Sequence, residues 1–208
     1  MPGLETNREE AIIKYLTETY GPCALIKYGS YADGSANENS DFDALLITKD
    51  RELHDTSEVS GTVLDVWVYP QEIFEKAFDP EAFIQVSDGI IVFDRDGLAE
   101  RLVKAVNDHI AAVKPKSEDE IRGEIAWCKK MLARTARGDA EGYYRWHWLL
   151  SDSLEIYCDI KQIYYRGPKK ALRYMGKNDD GSFRIYLKAL ESMDRDALSD
   201  WVRYLSEL

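Results

Sequence analysis

Two aspartates, Asp41 and Asp43, stand one residue apart at the start of the apolar run 44–47. Such a run predicts a strand, and side chains two residues apart on a strand lie on one face of the sheet. Two carboxylates that close repel each other unless a cation lies between them. Mg²⁺ is bound by one or two carboxylates together with phosphate oxygens of a substrate. The pair therefore predicts a magnesium site that takes a phosphate-bearing substrate.

A glycine and a serine, Gly29 and Ser30, precede these aspartates by a ten-residue loop. The glycine lets the backbone approach a phosphate closely, and the serine hydroxyl can donate a hydrogen bond to it. A further carboxylate, Asp65, interrupts the apolar run 62–69, which also predicts a strand. An aspartate inside a buried strand is costly unless a cation pairs with it, so Asp65 is predicted as the third metal ligand. Together these residues predict metal-assisted phosphoryl or nucleotidyl transfer.

The order and spacing of these motifs resemble the signature of the nucleotidyltransferases in the DNA polymerase beta superfamily. That signature has a Gly-Ser on a first strand, a short helix, an Asp-x-Asp on a second strand and one more aspartate on a later strand. The corresponding segments here are Tyr28-Gly29-Ser30-Tyr31-Ala32-Asp33-Gly34-Ser35, Asn39-Ser40-Asp41-Phe42-Asp43 and Asp65. The resemblance covers the N-terminal part of the chain and implies a mixed sheet with flanking helices there.

The resemblance also implies roles for the residues of these motifs. Gly29 and Ser30 would bind the triphosphate of ATP or another NTP. Asp41, Asp43 and Asp65 would hold two Mg²⁺ ions, one with the triphosphate and one that lowers the pKa of an acceptor hydroxyl. In-line attack by that hydroxyl on the α-phosphate would transfer an NMP and release pyrophosphate. Asp65 would ligate the second ion or take the hydroxyl proton.

Composition and charge narrow the class of protein. Of the 208 residues, 45% are hydrophobic and 12% are aromatic, which favours a packed core over a disordered chain. A net charge of -11, without a stripe of Lys and Arg, argues against a nucleic acid partner. No apolar run approaches the ~20 residues that span a bilayer, and the N-terminus lacks the pattern of a secretory signal. Cys23, Cys128 and Cys158 are isolated and predicted to be reduced thiols, so the chain is predicted to be cytoplasmic.

The pattern of apolar residues divides the chain into an α/β half and a helical half. Apolar runs predict strands at 23–28, 41–48, 62–69 and 90–93, whereas the polar segment 49–61 carries no clear pattern. After residue 97 the apolar residues recur at helical spacing only, and Ser117-x-x-Glu120 is a capping box. The predicted fold is therefore α+β. Residues 1–96 are predicted as an α/β domain, which the resemblance implies is a nucleotidyltransferase-fold catalytic domain, and residues 97–208 are predicted as an α-helical bundle.

This layout resembles small-molecule nucleotidyltransferases of the kanamycin or lincosamide type, which join the same catalytic half to a helical bundle. The resemblance implies that the helical half binds the hydroxyl acceptor, such as an aminoglycoside-like antibiotic, with antibiotic resistance as the role. It also allows a homodimer. Lys169 and Lys170, at the predicted start of a helix, either reach the phosphates or form a solvated helix end. Asp152 and Glu155, on a long helix predicted at 141–165, are alternatives to Asp65 as general base.

Two other functions stay open beside transfer to a small molecule. The same fold can transfer AMP to a tyrosine of a partner protein, although such modules lack the fused helical half. A non-catalytic module would bind a nucleotide for regulation and would release no pyrophosphate. The intact set of Asp41, Asp43 and Asp65 favours an active enzyme. The expected reaction moves AMP from ATP, or another NMP from its NTP, because no residue in the sequence distinguishes the bases.

Overall fold

Two units make up the fold, one ending at Ala112 and the other running from Val113 to Leu208. The structure is a computed structural model that describes residues 2–208, with side chains from residue 8 onward. The predicted α+β class is confirmed. The boundary expected between residues 96 and 97 stays a prediction, and the helix that follows this point packs against the sheet of the first unit.

Within the described residues, the first unit contains one mixed sheet of six strands. The strands are β1 (Ala24–Lys27), β2 (Phe42–Thr48), β3 (Leu53–Asp55), β4 (Glu58–Val59), β5 (Thr62–Pro70) and β6 (Ile90–Asp94). Five of them follow the order β3-β5-β2-β1-β6, and β4 pairs with β5. β2 and β5 are parallel and the other pairs are antiparallel. The predicted strands are confirmed, and β3 and β4 occupy the polar segment that had no prediction.

Helices cover both faces of this sheet. They are α1 (Pro2–Tyr20), α2 (Ser30–Asp33), α3 (Gln71–Glu75), a 3-10 helix (Pro80–Val86) and α4 (Leu98–Ala112). On one face α1 buries Ile12 and Leu16 with Phe42. On the other face α4 buries Leu102 with Leu45. Because successive side chains of β2 alternate between the faces, this strand contributes to both cores and is held firmly in place.

The second unit consists of helices throughout its regular structure, and all of its residues are described. The helices are α5 (Glu118–Thr135), α6 (Ala140–Ile160), α7 (Pro168–Asn178), α8 (Asp180–Glu191) and α9 (Arg195–Leu205). The predicted capping box is confirmed at the start of α5. The bundle packs around Trp201, whose indole N–H donates to the Ser153 hydroxyl at 2.9 Å, so the buried polar atom of the ring has a partner. Among the described residues of the whole chain, no helix combines the length and the apolar character needed to cross a membrane.

The three cysteines form no disulfide in the described part of the chain. Cys128 and Cys158 are buried, and Cys23 is half-buried. Burial raises the pKa of both Cys128 and Cys158 to about 12. These two thiols therefore stay protonated at neutral pH and pack as small apolar side chains.

One aspartate of the second unit, Asp179, joins three helices. It accepts hydrogen bonds from the Tyr157 hydroxyl at 3.0 Å and from the backbone N–H of Ser182 at 3.1 Å, where it caps α8. Lys161 Nζ lies 2.9 Å from its Oδ2. Burial acts to raise the pKa of Asp179, but the bonds from Ser182, Lys161 and Tyr157 outweigh burial and hold the pKa well below its usual range. The ionised carboxylate is therefore the form that the fold stabilises.

We expect Asp179→Ala to lower the free energy of unfolding by about 2–4 kcal/mol, because the change removes a helix cap and leaves a tyrosine hydroxyl without its acceptor. The folded pKa lies below the ordinary aspartate value of 3.8, so this stabilisation is complete well above pH 3.8 and is lost as the pH falls through the folded pKa. Denaturant unfolding at several pH values should show the difference from wild type narrowing in acid. Asp180→Ala, in an exposed ion pair on the same helix, should cost less than about 1 kcal/mol. Equal losses in the two variants would contradict this expectation.

Candidate active site

Two of the three predicted aspartates lie side by side on adjacent strands. The parallel register of β2 and β5 places Asp43 opposite Asp65. Neighbouring strands are about 4.8 Å apart, so both carboxylates leave the sheet on the same face and close together. Asp43 is half-buried, while the side chain of Asp65 is 46% exposed. A ligand can therefore reach this pair from solvent.

The buried Tyr28 lies within the electrostatic field of this pair. Burial is the main cause that raises the pKa of Tyr28, and the negative charges of Asp65 and Asp43 raise it further. The backbone N–H of Tyr28 also donates to the carbonyl oxygen of Asp43 at 3.0 Å. Because both carboxylates act on one hydroxyl, negative potential is concentrated at this end of the sheet. Such a potential attracts a cation.

Gly29 brings the backbone directly against Asp43. Its φ of 65° and ψ of -148° are dihedrals that a glycine adopts readily. A Cβ atom at this position would lie 2.9 Å from Cγ of Asp43 and closer still to its Oδ2. Ser30, half-buried, follows as the first residue of α2. The predicted Gly-Ser turn is therefore adjacent to the carboxylate pair, as binding of a phosphate beside a metal requires.

The third predicted ligand, Asp41, is placed differently from the other two. It is exposed and lies one residue before β2 begins. In the described part of the chain, no group of three or more His, Cys, Asp or Glu side chains is arranged to hold a metal ion. The structure thus joins two carboxylates, and the role of Asp41 stays a prediction. Two carboxylates fit Mg²⁺, because this ion completes its shell with water and phosphate oxygens.

A histidine that the sequence analysis did not single out, His54, contacts Asp65. Its Nε2 lies 2.6 Å from Oδ1 of Asp65. The imidazole stacks on the Trp67 ring, with centroids 4.1 Å apart and planes within 5°. The antiparallel register of β3 and β5 places His54 directly opposite Trp67, which explains the stack. No pattern in the segment Leu53-His54-Asp55 signals this contact, because only one of its three residues is apolar.

Side chains on the other face of β3 hold this strand in place. Leu53 packs into the core beneath α1. Asp55 is buried and accepts hydrogen bonds from the Tyr20 hydroxyl at 2.8 Å and from the backbone N–H of Ser57 at 2.9 Å. Burial acts to raise the pKa of Asp55, but the hydrogen bonds from Ser57 and Tyr20 outweigh burial and lower it. The position of His54 is therefore fixed by contacts that do not involve Asp65.

The remaining predicted site residues belong to the second unit. Lys169 and Lys170 lie in the first turn of α7, the former exposed and the latter half-buried. Asp152 and Glu155 are exposed on α6, and Asp152 accepts a hydrogen bond from the indole N–H of Trp148. The phosphate contacts predicted for the lysines and the base role considered for the two acids stay predictions.

Comparison with known proteins links this site to a reaction class. Residues 9–92 match the model of a family described as "Nucleotidyltransferase domain", and this range contains Gly29, Ser30 and the three aspartates. Among solved structures, a nucleotidyltransferase-like protein from Exiguobacterium sibiricum 255-15 is 16% identical, with a TM-score of 0.40 over 96% of this chain and 73% of that chain. The comparison with curated proteins finds no match.

Proposed function

We propose that this nucleotidyltransferase, whose domain match spans residues 9–92, transfers an NMP from an NTP to a hydroxyl group of a small molecule and releases pyrophosphate. AMP from ATP is the first candidate for the transferred group. The observation that carries the proposal is the register pairing of Asp43 with Asp65 beside the Gly29 backbone. This arrangement combines two oxygen ligands for a divalent cation with a backbone segment that a phosphate can approach.

Each residue of the pair has a task in this reaction. Asp43 and Asp65, with Asp41 at the strand entrance, would hold the divalent cations, taken as two Mg²⁺ ions. When bound, these ions neutralise the triphosphate charge and lower the pKa of the acceptor hydroxyl. Gly29 and Ser30 would bind the triphosphate through the backbone N–H groups and the serine hydroxyl.

In the chemical step one bond to phosphorus forms, one breaks, and one proton is transferred. The acceptor oxygen bonds to the α-phosphorus while the bond between this phosphorus and the pyrophosphate oxygen breaks. The hydroxyl proton passes to a general base, a role that Asp65, half-exposed beside Asp43, fills only where it does not ligate the second ion. Positioning and charge neutralisation supply most of the rate.

We infer a small cationic acceptor with hydroxyl groups, such as an aminoglycoside-like antibiotic. The net charge of -11 disfavours a polyanionic acceptor and favours a cationic one. Within the second unit, the ring centroids of the exposed Tyr144 and Trp148 lie 6.0 Å apart on α6, and Asp152 accepts a hydrogen bond from the indole N–H of Trp148. Aromatic faces next to a carboxylate suit a sugar that carries amino groups.

The test is pyrophosphate release from each of the four NTPs with Mg²⁺, against a panel of aminoglycosides, lincosamides and simple polyols. We expect release that requires one class of acceptor and stops when EDTA removes the metal. Mass spectrometry of the product should show the acceptor with one added NMP. Release with no small acceptor but with a partner protein would favour protein AMP transfer. Nucleotide binding without any release would favour the regulatory module.

A further inference from the structure

The contact between His54 and Asp65 suggests a role that the transfer reaction itself does not assign. An ionised carboxylate only accepts hydrogen bonds, so the hydrogen in the 2.6 Å contact is on Nε2 of His54. We propose that His54 is a positioning residue, which holds the Asp65 carboxylate in the orientation needed to bind a divalent cation together with Asp43. The inference rests on the proposed function, since it concerns the metal that this function requires.

The imidazole is itself held rigidly, which is what a positioning residue needs. The nearly coplanar stack on Trp67 fixes the plane of the ring. The strand that carries the ring is fixed from its opposite face by Leu53 and Asp55. An Asp65 side chain that is 46% exposed would otherwise rotate in solvent. Because Oδ1 of Asp65 is bonded to His54, the rotation of the carboxylate is restricted, and so is the position of its other oxygen.

A purely structural role explains the contact less well. The two side chains are 35% and 46% exposed, and an ion pair or hydrogen bond so open to solvent adds little to stability. The pairing of β3 with β5 rests on backbone hydrogen bonds and on buried Asp55. Hydrogen bonds from second-sphere groups to metal-binding carboxylates, by contrast, change metal affinity by about 10–100-fold.

Two substitutions separate the hydrogen bond from the stack. His54→Phe keeps a flat ring on Trp67 and removes the donor. His54→Gln keeps an N–H donor near the position of Nε2 and loses the aromatic ring. We would measure Mn²⁺ affinity by calorimetry with the full chain and an ATP analogue that cannot be cleaved between its α- and β-phosphates. The thermal midpoint is recorded on the same samples, and pyrophosphate release is measured on the same protein preparations with ATP in place of the analogue.

We expect His54→Phe to weaken Mn²⁺ binding by about 10–100-fold and His54→Gln to remain within about threefold of wild type. The kcat of the Phe variant should fall at saturating ATP, while the KM for the acceptor stays unchanged, because His54 acts through Asp65. If the Phe variant does not fold, His54→Leu replaces it with an apolar side chain at the same exposed position.

The outcomes distinguish this inference from the proposed function. Equal Mn²⁺ affinity in the wild type and a folded Phe variant overturns the inference, and so does an equal loss in the Phe and Gln variants. If the wild type binds Mn²⁺ with the analogue but releases no pyrophosphate, the proposed function fails while the affinity comparison still decides the role of His54. Absence of Mn²⁺ binding by the wild type overturns both.

Discussion

Asp43→Asn should abolish pyrophosphate release, with a fall in kcat/KM of at least about 10³-fold and no loss of fold. Asp43 lies opposite Asp65 in the register and against the Gly29 backbone, so it is central to the site. A metal that stabilises the charge of the transition state is worth several kcal/mol, and about 4 kcal/mol corresponds to this fall in rate. The amide has the same shape as the carboxylate, so packing around β2 is preserved.

The same substitution should have a second signature that does not depend on the acceptor. Neutralising Asp43 removes its repulsion with Asp65, so without metal the variant should melt at the wild-type temperature or above it. Mg²⁺ with an uncleavable ATP analogue should raise the melting temperature of the wild type only, because binding stabilises the state that binds. This pair of melting curves identifies the loss as a loss of metal binding.

A matched control lies just past the other end of the same strand. Asp50 is exposed and follows β2, so Asp50→Asn changes the net charge by the same amount outside the site. It should keep turnover within about twofold of wild type, as surface changes usually do. Residual activity of Asp43→Asn within about tenfold of wild type would remove Asp43 from the centre of the proposed mechanism.

Period-2 alternation made the local part of the site predictable. It placed Asp65 on a strand and Asp43 next to an apolar run, and both strands are confirmed. It could not show that these residues are opposite each other, because the parallel register of β2 and β5 is set by long-range packing and a crossover. Asp65 was expected to be enclosed in a buried strand, whereas nearly half of its side chain is exposed.

The features that could not be predicted from the sequence lie in a very short strand and at a helix end with an unusual backbone conformation. β3 is three residues long, too short for alternation to be recognised, so His54 could not be linked to Asp65 in advance.

The long helix predicted at 141–165 ends at Ile160. It stops because Gln162 adopts a φ of 55°, and the N–H of Ile163 then donates to the Cys158 carbonyl oxygen at 2.9 Å. A glutamine in this conformation carries no sequence signal, since glycine is the usual residue there.

Gly29→Ala should reduce pyrophosphate release by more than about 10²-fold, because the new methyl group would occupy the space of the Asp43 carboxylate. Gly34→Ala is a control for positive φ without a clash, since Gly34 has a φ of 77° with a ψ of 15°, and a Cβ atom there meets nothing within 4 Å. The control should lose about 1–2 kcal/mol of stability through backbone strain and keep its activity per folded molecule. Similar activity losses in the two variants would show that strain alone is responsible.

A double-mutant cycle then separates the clash at Gly29 from backbone strain at the same residue. Asp43→Ala shortens the side chain that the methyl group would meet, but it leaves the dihedrals of Gly29 unchanged. If the clash dominates, Gly29→Ala should cost less free energy of unfolding in the Asp43→Ala background than in the wild type, by about 1 kcal/mol or more. An additive pair would mean that the glycine is required for its dihedrals only, and that the close approach to Asp43 has no energetic consequence. Coupling would show that the turn and the carboxylate act as one unit, as a site for a metal and its phosphate must.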